Sequence, residues 1–212
     1  MIQSQIHTVL FDLDGTLSDT AVLTMGALRR LAPEHGLQVP SEETVKFFLG
    51  YATPEFMGHM FPDLTPEEAE KLGQLSEKGE LDELEHVDDI LFDGVLDLLK
   101  SLATAGVRMH IASTGSNEHV MAIIDSAGIG EYFETVSCDS SDKTEMISRI
   151  IKGSEKSGYA LVGDSVKDYA AARENGILSV GVSYGYCSRE TSDFDLYIDH
   201  PLELLKILEF EK

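Results

Sequence analysis

The sequence predicts an α/β fold: a doubly wound, Rossmann-like parallel sheet core with an inserted α-helical cap domain. Three observations predict it. Short apolar runs alternate with helix-length segments through the second half of the chain, the rhythm of a parallel sheet covered on both faces. One further apolar run, Thr8-Val9-Leu10-Phe11, stands near the start and reads as a buried strand. Between the two, from about Leu17 to Leu91, the pattern is helical and no strand is evident. The expected division is a core of residues 1–16 and 92–212 with a helical cap of residues 17–91.

Each element follows from local signals. The first strand runs into Asp12-Leu13-Asp14-Gly15-Thr16, where Gly15 marks a turn. In the insert, Leu23, Ala27, Leu28 and Leu31 recur at helical spacing, and Pro33 and Gly36 follow as breakers. Pro40-Ser41-Glu42-Glu43-Thr44 and Thr65-Pro66-Glu67-Glu68 read as helix starts. Then come a strand over 107–112, a helix from about 118 to 128, a short strand over 135–138 and a helix over 144–152. A strand over 159–162 precedes a helix over 168–175, which Gly176 closes as its C-cap. A strand over 178–182 and an edge strand over 196–198 follow, and Pro201 opens a terminal helix with Leu202, Leu205 and Leu208 on one face.

Composition narrows the function. The 212 residues are 42% hydrophobic, enough for a proper core. No run of ~18 apolar residues exists to span a membrane. Met1-Ile2-Gln3-Ser4-Gln5 does not read as a signal peptide. Cys138 and Cys187 stand far apart, in no metal or redox spacing, and read as free thiols of a reducing cytoplasm. The formal net charge is −22, which argues against nucleic acid and against anionic membrane surfaces. Residues 63–93 carry 12 acidic and 2 basic side chains; the expectation is a solvated helical face, with a docking surface or loose metal binding as the alternatives. An anionic substrate would meet a repulsive global field, which local positive groups must reverse.

The chemistry gathers at strand ends. Asp12 and Asp14 follow a buried strand and precede a turn, where open α/β sheets collect ligands. A carboxylate pair there is costly unless something positive binds it, and the natural partner is a hard divalent cation, Mg²⁺. Ser113-Thr114-Gly115-Ser116 offers hydroxyls and a permissive backbone near a helix start, a cradle for phosphate oxygens. Lys143 stands at a helix start, and Gly163-Asp164-Ser165-Val166-Lys167-Asp168 puts carboxylates after another strand. Acid, hydroxyl, cation and acid in this order suit phosphoryl chemistry.

With these four motifs and a cap-sized insert, the chain resembles the haloacid dehalogenase-like hydrolases, the branch with a small helical cap that includes phosphoglycolate phosphatases and β-phosphoglucomutases. The resemblance covers essentially the whole chain and implies roles. Asp12 would be the nucleophile that forms an aspartyl-phosphate. Asp14 would protonate the leaving alkoxide and then deprotonate the attacking water, with its carbonyl on the metal. Thr16 would tether the loop or simply serve the turn. Ser113 would hydrogen-bond a phosphoryl oxygen, beside the N–H of Thr114 and the permissive Gly115. Lys143 would neutralise the phosphoryl charge and pair with Asp12. The metal, Mg²⁺, would be held by Asp12, Asp14 and Asp164, and Asp168 would be either a further ligand or the orienter of Lys143. Gly50, with Tyr51 and Thr53, would face the substrate from the cap, and His59 is a weaker candidate.

The function expected is a Mg²⁺-dependent phosphatase of a small phosphate monoester, phosphoglycolate-like or a sugar phosphate. A β-phosphoglucomutase-like mutase is the alternative, disfavoured by the scarcity of cationic cap groups beside Gly50. A non-catalytic phosphate-binding or interaction protein is the third reading. The expected partner is a small phosphorylated metabolite, not nucleic acid or a membrane, and the expected state is a monomer or weak dimer.

Overall fold

The computed structural model describes residues 6–51, 53–186 and 193–208; Cys187 and Met1-Ile2-Gln3-Ser4-Gln5 lie outside the described residues. The chain forms two compact units, Met1–Ser18 with Leu91–Lys212, and Asp19–Ile90. The divisions fall two residues later and one residue earlier than the sequence placed them. Strand β1 (Thr8–Phe11) opens the first unit with all its side chains buried.

The second unit is helical among its described residues: α1 (Ala21–Glu34), α2 (Glu42–Phe48), α3 (Thr53–Met60) and α4 (Pro66–Leu84). Leu28 of α1, Val45 of α2, Met57 of α3 and Leu72 of α4 share one apolar cluster. Each such buried side chain contributes about 1.5–3 kcal/mol. Pro33 lies inside the last turn of α1, which ends one residue later at Glu34; so near the end, the proline ring costs a single bond to the carbonyl four residues back. Ser41 caps α2 through the Thr44 N–H. Thr65 and Glu68 close a reciprocal capping box at the start of α4. Glu67, Glu68, Glu70, Asp82 and Glu85 are exposed, whereas Glu83 pairs with Arg30 at 3.0 Å.

The first unit continues with α5 (Val95–Thr104), β2 (Arg108–Ala112), α6 (Asn117–Ala127), β3 (Thr135–Ser137) and α7 (Lys143–Ile151). It ends with β4 (Tyr159–Gly163), α8 (Val166–Asn175), β5 (Leu178–Val182), β6 (Leu196–Ile198) and α9 (Glu203–Ile207). The sheet is parallel throughout, in the order β3-β2-β1-β4-β5-β6. Leu10, Ala112 and Leu161 pack against Ile147 and Ile151 of α7 and Ala171 and Ala172 of α8, and α5 packs beside β2 and α9. In the register, Phe11 faces Ile111 on one side and Val162 on the other. Asp12, Ala112 and Gly163 therefore begin three adjacent strand exits, at the point where the strand order reverses. Among the described residues no helix is long and apolar enough to cross a membrane.

Three helix starts differ from the sequence reading. Helix α9 begins at Glu203 rather than Pro201, with Leu202 as its N-cap and Leu208 as its C-cap. Helix α7 begins at Lys143, one residue early, because the Asp142 side chain accepts the Glu145 N–H. Helix α8 begins at Val166 rather than Asp168. Ser165 is its N-cap, and Asp168 is the acidic partner of a capping box.

Candidate active site

Backbone bonds fix the strand exits. The Asp12 N–H donates to the Val162 carbonyl at 2.9 Å, and the Ser113 N–H to the Ser137 carbonyl at 3.0 Å. Into the space beside them comes Lys143, from the first turn of α7. Its ammonium donates to Asp12 Oδ1 and to Asp168 Oδ1, both at 2.6 Å. All three side chains are buried. Asp168 reaches Lys143 because Gly163 has no side chain; a Cβ there would collide with the Asp168 carboxyl. The other oxygen of Asp168 accepts from the Ser165 N–H at 3.0 Å and from its hydroxyl at 2.5 Å. Asp168 thus holds Lys143 with one oxygen and the start of α8 with the other.

Asp164 is 5% exposed, and its Oδ2 accepts the Tyr186 N–H at 2.7 Å. Two glycines let this loop close over it. Gly15 has φ +78, and a Cβ there would lie 2.5 Å from Asp164 Oδ2; a Cβ on Gly185 would strike the Gly15 carbonyl. Tyr184, from the same loop, donates its hydroxyl to the Thr16 carbonyl at 3.2 Å. Of the two readings of Thr16, the structure favours the turn residue: its own hydroxyl is buried and has no hydrogen-bond partner, so the backbone of Thr16, not its side chain, ties this turn down.

Asp14 stands two residues on from Asp12, near enough to repel it. Its Oδ2 lies 3.4 Å from Ser113 Oγ, a long bond, and its Oδ1 lies 2.9 Å from His119 Nε2. Ser113 Oγ in turn accepts the Gly115 N–H at 3.0 Å. The structure therefore brings Asp12, Asp14, Ser113, Lys143, Asp164 and Asp168 together, with Thr114 and Gly115 half-buried in the loop from Ser113 to α6. Gly50 belongs to the helical unit, at the junction of α2 and α3. Thr53 donates to Glu77, and His59 stacks on Phe48 at 4.0 Å.

The electrostatics follow from one ammonium facing four carboxylates. Burial would lower Lys143, but Asp12 and Asp168 overturn that and hold it well above the usual ammonium range. Burial, and then repulsion from Asp168, raises Asp12 well above the carboxylate range against the pull of Lys143. Burial, followed by Asp168, pushes Asp164 up to about 7, against the Tyr186 N–H. Tyr184 is raised by burial and then by Asp164. This excess of negative charge is what a cation would relieve. Carboxylate oxygens of Asp12, Asp164 and Asp168 lie within 4.8 Å of one another. A set made of oxygen alone suits Mg²⁺ better than zinc. With Asp168 committed to Lys143 and Ser165, Asp12 and Asp164 are the side chains that fit such an ion.

A pH effect with a definite sign follows. The unfolded carboxyls titrate near pH ~4, and in the folded chain Asp12 and Asp164 are raised. Their contribution to stability is full below the unfolded value and is lost as pH rises through about 7. A cation held by Asp12 and Asp164 would displace those protons, so Mg²⁺ should raise Tm clearly at pH 8 and little at pH 5.5. Thermal melts with and without Mg²⁺ check this; equal shifts at both pH values would contradict it.

Sequence reasoning missed His119 and the backbone of Tyr186. His119 is the third residue of α6, and side chains in a first turn lean back toward the helix start; its spacing from Ser116 was the available signal. Nothing in the sequence marks the Tyr186 N–H.

The chain is similar to known proteins over most of its length. Residues 9–182 match the family model described as haloacid dehalogenase-like hydrolase. A phosphoglycolate phosphatase of Caulobacter vibrioides is 29% identical over 211 residues, covering 94% of this chain and 89% of its own. An N-acetylmuramic acid 6-phosphate phosphatase of Pseudomonas aeruginosa is 25% identical over 224 residues, covering 99% and 97%. The structure of a haloacid dehalogenase-like hydrolase from Streptococcus pneumoniae superposes with a TM-score of 0.85 at 21% identity, covering 97% of this chain and 99% of that one.

Proposed function

This chain belongs to the haloacid dehalogenase-like hydrolases, and from that premise we propose that it is a Mg²⁺-dependent phosphatase of small phosphate monoesters, working through an aspartyl-phosphate on Asp12. The observation that carries this reading is Asp12 itself: buried, held at 2.6 Å by Lys143, with a second carboxyl, Asp14, two residues on. Similarity to phosphatases named for different esters, a phosphoglycolate and an amino-sugar phosphate, supports the reaction class. The ester we propose is phosphoglycolate-like or a sugar phosphate, met in the cytoplasm, with no nucleic-acid or membrane partner.

Each residue has one task in the proposed reaction. An oxygen of Asp12 attacks phosphorus as the bond to the ester oxygen breaks. Asp14 gives its proton to that departing oxygen. Asp14, now ionised, then takes a proton from water as the water attacks the phosphorus of the acyl phosphate, releasing phosphate and restoring Asp12. Lys143 balances the charge that builds on the phosphoryl oxygens. Ser113 turns its hydroxyl from the long bond to Asp14 toward a phosphoryl oxygen, and the Thr114 N–H lies beside it. Asp12 and Asp164 would hold Mg²⁺, which would supply the positive charge that keeps both carboxylates ionised beside an anionic ester.

The test is release of inorganic phosphate from a panel of phosphoglycolate, hexose phosphates, an amino-sugar phosphate and p-nitrophenyl phosphate, with Mg²⁺ and with EDTA. Turnover that EDTA abolishes is the expected result. No release from any ester contradicts the proposal, and an isomerised sugar phosphate without free phosphate would replace it with the mutase reading.

A further inference from the structure

We infer that His119 is a positioning residue for the proton-transfer carboxyl of Asp14. The inference rests on the proposed role of Asp14 and extends it to a residue outside the sequence motifs. His119 stands in the first turn of α6, directly after the loop that carries Ser113. Ser116 caps this helix by accepting the His119 N–H at 3.3 Å, so the backbone at His119 is pinned. The imidazole then leans back over the loop, and Nε2 meets Asp14 Oδ1 at 2.9 Å. The two side chains are 16% and 19% exposed, so the bond is partly shielded from water.

The contact from Asp14 to Ser113 Oγ is long at 3.4 Å, and that hydroxyl is the one proposed to turn to the phosphoryl group. With substrate present, the bond to His119 remains to fix the carboxyl. The role needs one ring N–H, which neutral imidazole and imidazolium both possess, so it does not depend on the charge of His119. Proton transfer is sensitive to geometry: a carboxyl misplaced by about 1 Å can cost ~10²-fold.

The step that His119 would serve can be isolated by the leaving group. When the ester bond breaks, the electron pair goes to the departing oxygen. An aliphatic alkoxide needs the Asp14 proton at that moment, whereas p-nitrophenolate leaves without it. Because kcat/KM reports only the steps up to that departure, later hydrolysis of the acyl phosphate does not blur the comparison.

The experiment measures kcat/KM in Mg²⁺ for p-nitrophenyl phosphate and for the best aliphatic ester of the panel, using wild type, Asp14→Asn, His119→Ala, His119→Gln and the double variant Asp14→Asn/His119→Ala. Asp14→Asn should lose ~10²-fold or more on the aliphatic ester and within about 3-fold on the nitrophenyl ester. His119→Ala should show the same preference at ~10-fold or more, and His119→Gln, whose amide can donate the same bond, should recover most of it. In the double variant the loss from His119→Ala should vanish, because there is no proton carrier left to position. An equal fall on both esters, or a loss that persists in the Asp14→Asn background, overturns the role of His119 and leaves that of Asp14 standing. Absence of leaving-group preference in Asp14→Asn itself overturns both.

Discussion

Asp12→Asn should abolish at least ~10³ of the phosphate-release rate and leave the fold intact, as removal of a covalent nucleophile does elsewhere. The two consequences separate because Asp12 is a liability to the folded chain before it is an asset to the reaction. It is buried among three other carboxylates, with a single ammonium in reach. An amide of the same shape removes one negative charge from that cluster, while Lys143 keeps its 2.6 Å bond to Asp168. In EDTA the variant should therefore melt no lower than wild type. In Mg²⁺ it should lose most of the ion's stabilisation, because one of the two fitted carboxylates is gone. Phosphate assays with parallel melts test both halves. A variant that keeps a tenth of the rate excludes Asp12 as the nucleophile; a collapse of Tm would make it a structural residue.

Lys143→Met should be damaging in both respects. Removing one partner of a buried ion pair typically costs about 3–5 kcal/mol, and in a domain of this size that is a fall in Tm of roughly 6–20 °C. Activity should drop by ~10²–10³, the usual effect of deleting one group that stabilises developing charge. The stability deficit has a pH signature. Asp164, raised to about 7, and Asp12, also raised, accept protons readily as pH falls. A protonated carboxyl misses the ammonium less, so the gap between variant and wild type should be widest near pH 8 and should narrow toward pH 5.5. Chemical denaturation at the two pH values measures it; a gap independent of pH would contradict the charge balance described for the site.

The strand exits were legible because β1 and β4 are buried on both faces and announce themselves as unbroken apolar runs. Asp12 and Asp164 could then be placed from chain order alone. Lys143 was legible as a cation near a helix start, although its burial was not: the sequence offers no way to see that Gly163 opens room for Asp168 to reach it. The start of α8 was misplaced because an aspartate three residues after a serine can be either the cap or the cap's partner, and only the hydrogen bonds between Ser165 and Asp168 tell which. Side-chain type alone leaves Thr16 open between a tether and a turn residue, because it does not say that the carbonyl is the group used. His119 and Tyr186 act across the fold, 105 and 22 residues from their partners. One sequence carries no signal for contacts of that kind.

Leu17 accepts the Phe92 N–H, Ser18 bridges Leu91, and the Asp19 N–H donates to the Ile90 carbonyl. The strand leading out of the core and the strand leading back therefore run side by side for several residues, like the two wires of one plug. Every residue argued to do chemistry lies on the sheet side of that plug. Whatever is spliced between residues 18 and 91, short or long, need not disturb the reactive centre, since longer closures between fixed ends add little entropy cost. The arrangement makes residues 19–90 a cassette whose length can change while the ends that hold it stay paired.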